Sequence, residues 1–170
     1  SAKQYDIAIQ EIAKLKIDGQ IDISIQDYTQ TNFTDESSDV VWACESSCYA
    51  KPKTSFLQEA FRLLKPGGTL IVADYFLTEA GIQDRNQYIR NWGDTWAIEE
   101  FNTAANFIEP LDKLGFRLVN KIDFTQHITP SSRRMYRSFL IGAIPSILYN
   151  VTHHTSRFAK RHYLSGKFQY

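Results

Sequence analysis

Apolar positions along the chain change period several times, and each change marks an element. In residues 1–15, Ile7, Ala8, Ile12, Ala13 and Leu15 fall near helical spacing. This predicts a helix with Ser1 at its N-cap, ended by Asp18-Gly19. Ile21, Ile23 and Ile25 alternate with polar residues, the pattern of a short half-buried strand. A polar loop over residues 27–38 leads to Val40-Val41-Trp42-Ala43, whose apolar run predicts a central strand with Trp42 in the core. Pro52 opens a helix on which Phe56, Leu57, Ala60, Phe61 and Leu64 form one apolar face. Lys65-Pro66-Gly67-Gly68 stops that helix and turns the chain into a third buried strand at residues 69–73. Strand, helix, glycine turn and strand make a crossover unit, so the two strands are expected to be parallel neighbours.

Beyond this unit the pattern is mostly helical. Residues 76–100 are polar apart from a few large apolar side chains, Trp92 and Trp96 among them, and read as helical pieces and loop above the sheet. Residues 102–114 predict a helix, with Pro110 as a break and Gly115 as its cap, followed by a fourth strand at residues 116–122. Residues 131–149 and 155–170 predict two more helices, separated around Asn150. The fold class is therefore α/β: a mostly parallel sheet flanked by helices, with a helical C-terminal extension. The division read from the pattern is 1–128 for the sheet-bearing domain and 129–170 for the extension.

Composition narrows the function. Of 170 residues, 43% are hydrophobic and 14% aromatic, enough for a packed core and too much for a disordered chain. The formal net charge is zero, which argues against nucleic acid as the main partner, since phosphate binding needs a basic excess. The charge is uneven, however. Arg133, Arg134, Arg137, Arg157, Lys160, Arg161 and Lys167 fall in a tail with no Asp or Glu. Such a tail could lie on an anionic membrane, but a solvated or packed face is the preferred reading. Cys44 and Cys48 read as reduced thiols of a cytoplasmic protein. His127, His153, His154 and His162 are dispersed, so no metal site is expected. No signal peptide and no bilayer-length apolar run is present. A first residue that is Ser, inside a predicted helix, suggests a fragment.

Three stretches in order carry a family resemblance. They are Ser1-Ala2-Lys3-Gln4; then Gln26-Asp27-Tyr28, Asn32-Phe33 and the run from Ser37 through Asp39-Val40-Val41-Trp42 to Tyr49; then Phe61-Arg62-Leu63-Leu64-Lys65-Pro66-Gly67-Gly68 with the strand ending at Asp74. This combination resembles class I, Rossmann-like S-adenosylmethionine-dependent methyltransferases, particularly the group of sterol C-methyltransferases, tocopherol methyltransferases and cyclopropane synthases. The resemblance implies a domain truncated on its N-terminal side. It lacks the first strands and the glycine loop that holds the cofactor's methionine part, and the acid that binds its ribose.

The resemblance also implies roles. Gln4, Asp27, Tyr28 and Glu45 would bind S-adenosylmethionine. Asp27 would accept a hydrogen bond from the adenine amino group, and Tyr28 would pack on the ring. Alone, Asp27 reads as an ordinary turn residue. Glu45 and Asp74 end strands on the crevice side of the sheet, where ligands bind, and would face the acceptor. There a carboxylate can steady a developing cation or take a proton. Tyr49, Tyr75, Trp92 and Trp96 would line a substrate pocket, and aromatic walls suit a small-molecule or lipid-like acceptor. The same aromatics could simply fasten the extra helices. Cysteine catalysis is disfavoured. Two alternatives stay open: a non-catalytic remnant that binds a partner or forms a homodimer through its open sheet, and, more weakly, a nicotinamide-binding protein without its glycine fingerprint.

Overall fold

The computed structural model describes residues 1–153 and 160–169. Helix α1 (Ala2–Leu15) begins at a capping box, in which Ser1 and Gln4 satisfy each other's backbone N–H groups. It closes at Lys16, which takes the left-handed conformation with φ 57°. None of its residues is buried. Strand β1 (Ser38–Cys44), helix α2 (Lys53–Leu63) and strand β2 (Leu64–Ala73) then form the expected crossover, and the strands pair in parallel.

The register runs Val40 opposite Thr69 through Cys44 opposite Ala73. Below it the ladder is interrupted, because Ser38 pairs with Leu64 and the Lys65-Pro66-Gly67-Gly68 segment bulges out between. Gly67 supplies the positive φ, 81°, that this bulge needs. Thus the segment expected as a plain turn is an irregular first part of β2.

Helices α3 (Glu79–Gln83), α4 (Tyr88–Trp96), α5 (Ala104–Leu114) and α6 (Thr125–Thr152) follow. Thr103 caps α5 by accepting from the Asn106 N–H, and Gly115 ends it with φ 94°. Pro110 lies inside α5 without ending it. α6 is longer than the pattern predicts and passes through both Pro130 and Pro145, each of which removes one ladder donor. Because it starts at Thr125, it runs without a break across residues 128 and 129. The helix expected at 155–170 lies partly outside the described residues. Within them are a 3-10 turn at His162–Leu164 and a short helix at Ser165–Gln169.

The core lies on one face of the sheet. Ala43, Ala50, Phe56, Leu57 and Phe107 are buried together, with Leu70, Val72, Phe76, Leu111 and Leu114 packed around them. Period-2 alternation therefore sends Val41, Ala43, Leu70 and Val72 inward beneath α2 and α5. It sends Val40, Trp42 and Ile71 outward, where they are 53%, 72% and 46% exposed. This corrects two expectations. Trp42 is not a core residue, because its register position faces away from the packed helices. β1 is not central either, since among the described residues the sheet holds only β1 and β2.

Two predicted strands are also absent from that sheet. The Ile21–Ile23–Ile25 alternation and residues 116–122 carry strand-like patterns, but neither has a ladder partner among the described residues. A strand exists only through bonds to a neighbour, which local periodicity does not supply.

The polar loop expected at residues 27–38 is held by charge, an anchoring that pattern reading missed. The Glu59 carboxylate, on the buried face of α2 and 7% exposed, accepts from the Thr31 N–H at 2.8 Å and the Thr31 hydroxyl at 2.6 Å. It also accepts from Arg62 Nε at 2.9 Å, and Arg62 reaches on to the Phe33 carbonyl and Asp35. Foremost the Arg62 hydrogen bond, with those from Thr31, holds the Glu59 pKa down at about 2 against the opposing effect of burial. The signal was an acid between apolar positions of a helix with an arginine three residues on.

Candidate functional site

The carboxyl ends of β1 and β2 lie side by side, and the chain leaves both on short, heavily bonded turns. Glu45 extends the ladder by one residue, its N–H donating to the Ala73 carbonyl at 2.7 Å. Its φ is 47°, an unusual conformation for a residue with a side chain, and its side chain is exposed. A 3-10 turn, Ser47–Tyr49, follows at once.

Asp74 ties that turn to β2. Its Oδ2 accepts from the Ser47 hydroxyl at 2.6 Å and the Cys48 N–H at 2.9 Å, while Oδ1 accepts from the Tyr75 N–H at 2.9 Å. The carboxylate is thus occupied by backbone and hydroxyl donors on both oxygens. Cys48 is buried beside it. Burial, then the adjacent Asp74 charge, pushes the thiol up to about 12, so it stays protonated near neutral pH. Lys53 donates to the Cys48 carbonyl, and burial lowers its pKa.

Tyr28 latches a second loop onto the same turn. Its hydroxyl donates to the Ser46 carbonyl at 2.9 Å, and its ring meets Phe56 edge-on at 6.0 Å. Burial raises its pKa to about 12, so the phenol remains a donor. Asp27, next to it, opens a turn closed by the Gln30 N–H donating to the Asp27 carbonyl. Its Oδ1 accepts from the Thr29 hydroxyl at 2.7 Å and N–H at 2.8 Å, and these bonds lower its pKa. Its Oδ2 has no hydrogen-bond partner among the described residues and faces water.

The aromatic residues close the other side. Tyr75 meets Trp92 edge-on at 4.8 Å, and burial followed by a hydrogen bond with Glu45 raises its pKa. Trp92 stacks on Phe101 at 5.4 Å. The Tyr49 hydroxyl donates to the Trp96 carbonyl at 3.1 Å, and burial raises its pKa as well. Trp96 meets His162 edge-on at 4.5 Å. The indole Nε1–H groups of Trp92 and Trp96 are both buried without an acceptor.

The nominated residues therefore separate. Tyr28, Glu45, Tyr49, Asp74, Tyr75, Trp92 and Trp96 are linked through direct contacts and the 46–49 turn, and Asp27 sits on its rim. Gln4 is used differently: its side chain accepts from Ser1, at the start of α1. Sequence reading missed Ser47, Lys53 and Phe101, all of ordinary type at loop or helix-start positions. Among the described residues no group of three or more His, Cys, Asp or Glu is arranged to hold a metal. An adenosine-bearing cofactor fits the rim in part. Asp27 offers an ionised oxygen free to accept from an amino group, and Glu45 is an exposed carboxylate at the strand ends.

Comparison with known proteins gives this arrangement a context. Residues 1–72 match a family described as a methyltransferase domain. Over 130 residues the chain is 28% identical to an O-methyltransferase of Pyrenophora dematioidea, covering 76% of this chain and 48% of that protein. Over 133 residues it is 28% identical to a sterol 24-C-methyltransferase of Neurospora crassa, covering 75% of this chain and 34% of that one. A solved structure of a candidate methyltransferase from Bacillus halodurans is similar with a TM-score of 0.54 and 25% identity, over 59% of this chain and 47% of that chain. The chain spans about half or less of the length of each of these proteins.

Proposed function

We propose, from the match of residues 1–72 to a methyltransferase-domain family, that the chain serves methyl transfer from S-adenosylmethionine to a small-molecule or lipid-like acceptor. One observation carries the reading: a carboxylate with a free oxygen at Asp27 stands next to Tyr28, whose hydroxyl is bonded to the turn that leaves the carboxyl end of β1, beside the end of its parallel neighbour β2. That is the crevice where open α/β sheets bind ligands.

S-adenosylmethionine, when bound, supplies a methyl group on a positively charged sulfur. Asp27 accepts from the adenine amino group and Tyr28 shapes the adenine side of the rim. Glu45 places a negative charge at the strand ends, with Tyr75 as its hydrogen-bonding neighbour. Such a charge steadies a cationic centre and can receive a proton. Asp74 acts as a positioning residue, because its oxygens hold the 46–49 turn on which Tyr49 stands. Tyr49, Tyr75, Trp92 and Trp96 exclude water from the acceptor side. Gln4 contributes through the cap of α1. Residues 1–128 form the catalytic part in this scheme, with 129–170 an extension whose final described helical segments pack against α4.

Among the described residues no helix is long and apolar enough to cross a membrane. A cytoplasmic location belongs to the same proposal, on the strength of two free cysteines. A second reading, self-association as a homodimer, is favoured by the outer sheet face, where Val40, Trp42 and Ile71 are exposed.

The test is calorimetric titration with S-adenosylhomocysteine. Saturable one-to-one binding that weakens about tenfold or more in Asp27→Ala, by loss of a charge-assisted hydrogen bond, supports the reading. A folded chain that binds none, or binds equally as Asp27→Ala, overturns it for this polypeptide.

A further inference from the structure

A cleft of about 330 Å³ opens between α4 and the start of α6. Tyr75 forms one end, and Ile89, Trp92, Ile128 and Phe168 form the apolar walls. Thr125, Thr129 and Ser132 add hydroxyls along one side. The cleft joins the strand ends directly, because Tyr75 borders it and also meets Glu45. Its volume lies in the range of small-molecule sites, which are mostly apolar with a few placed polar groups.

Three features define what fits. None of the lining side chains carries a charge. A charged guest would therefore lose hydration without gaining a partner. Three aromatic rings, from Tyr75, Trp92 and Phe168, favour a flat, ring-bearing guest. The polar groups are specific in sense. The Thr129 and Ser132 hydroxyls donate to the Thr125 and Ile128 carbonyls, at 3.2 Å and 3.3 Å. Their protons are used within the helix, so their oxygens are left as acceptors for a guest's O–H. Ser132 is buried, which excludes the exposed-surface explanation for that hydroxyl.

We propose that this cleft binds a neutral, ring-bearing compound of low polarity that carries a hydroxyl group. It names the class of small molecule for the function proposed above and rests on that reading only for the compound's role as acceptor. Binding itself does not depend on it. The site unites α4 with the C-terminal extension, so Thr129, Ser132 and Phe168 of that extension contribute to specificity rather than merely adding bulk.

The probes are 2-naphthol and its anionic counterpart 2-naphthoate, titrated by calorimetry near neutral pH into the whole chain. Saturable binding of 2-naphthol is expected, with 2-naphthoate about tenfold weaker or more, a gap set by desolvating the carboxylate. Ile128→Trp should fill the cleft and weaken 2-naphthol by a similar factor, while S-adenosylhomocysteine binding stays as in the parent chain. Should Ile128→Trp fail to fold, as judged by circular dichroism, Thr129→Leu takes its place. Equal binding of both probes, or full 2-naphthol affinity in a folded filled variant, overturns the proposal. If 2-naphthol binds and S-adenosylhomocysteine does not, the methyltransferase reading falls and the cleft remains. The reverse result removes the cleft proposal alone.

Discussion

Cys44 and Cys48 lie four residues apart and should react very differently. Cys44 points outward from β1 and is exposed, whereas Cys48 is buried against Asp74 with its thiol held at about 12. Only the thiolate is nucleophilic, so near neutral pH Cys48 is doubly protected, by protonation and by access. Labelling of the folded chain with an aromatic disulfide reagent should show one fast thiol. Cys44→Ser should abolish that fast phase, and denaturant should release a second thiol. Two fast thiols would contradict the buried placement of Cys48. Glu59 makes a second residue-scale prediction. Its folded pKa of about 2 lies below the 4.5 of an ordinary glutamate. The stabilisation it gives is therefore complete above about pH 4.5 and is lost as pH falls towards 2. Glu59→Gln should lower stability by about 2 kcal/mol near neutral pH, since it leaves Arg62 without its buried partner. Thermal melts across that acid window should fall more steeply for the parent chain than for the variant.

At the scale of elements, the glycine pair in the irregular first part of β2 is a structural joint. A methyl group on Gly68 would meet Leu64 Cδ2 and the Lys65 carbonyl oxygen at 2.9 Å, and the Asp39 carbonyl oxygen at 3.1 Å. Two of these are backbone atoms that cannot swing aside. Gly68→Ala should therefore destabilise by about 1–3 kcal/mol, the usual range for overpacking. Gly67→Ala faces open space and only its positive φ opposes it, so its cost is about 1 kcal/mol. Urea unfolding of both variants measures the difference, and an equal loss would show that conformation rather than contact governs the joint. The sequence pattern located this joint because Pro and Gly restrict backbone angles locally. It also located α1, α2, α5 and the parallel crossover, each set by short-range periodicity and caps. It failed where the deciding partner was remote. Ile21, Ile23 and Ile25 alternate, yet alternation needs a neighbouring ladder. Trp42 is apolar and sits in a strand, yet which face it occupies depends on where α2 and α5 pack. The site was legible in part for the same reason. Glu45 and Asp74 were found from their strand-end positions, while the bonds that consume the Asp74 carboxylate come from a turn folded back on it.

For the whole molecule the unbalanced feature is the sheet, packed on one face and bare on the other. Val40, Trp42 and Ile71 form adjacent outward positions across the paired strands, since Trp42 lies opposite Ile71 in the register. Both strands are also edges, because the sheet among the described residues contains no third strand. Apolar surface and unpaired backbone groups together promote association between copies. Sedimentation of the chain should accordingly show a concentration-dependent dimer at micromolar concentrations. Trp42→Lys tests the cause. Trp42 is 72% exposed, so replacing it removes little folded-state packing, and the melting temperature of the monomer should change by no more than a surface substitution allows, about 0.5 kcal/mol in stability. A lysine in each copy at a shared face would put like charges together and shift the equilibrium to monomer. A chain that stays monomeric at high concentration removes the self-association reading. A dimer that persists unchanged in Trp42→Lys places the contact elsewhere, and the exposed strand edges become the surface to alter next.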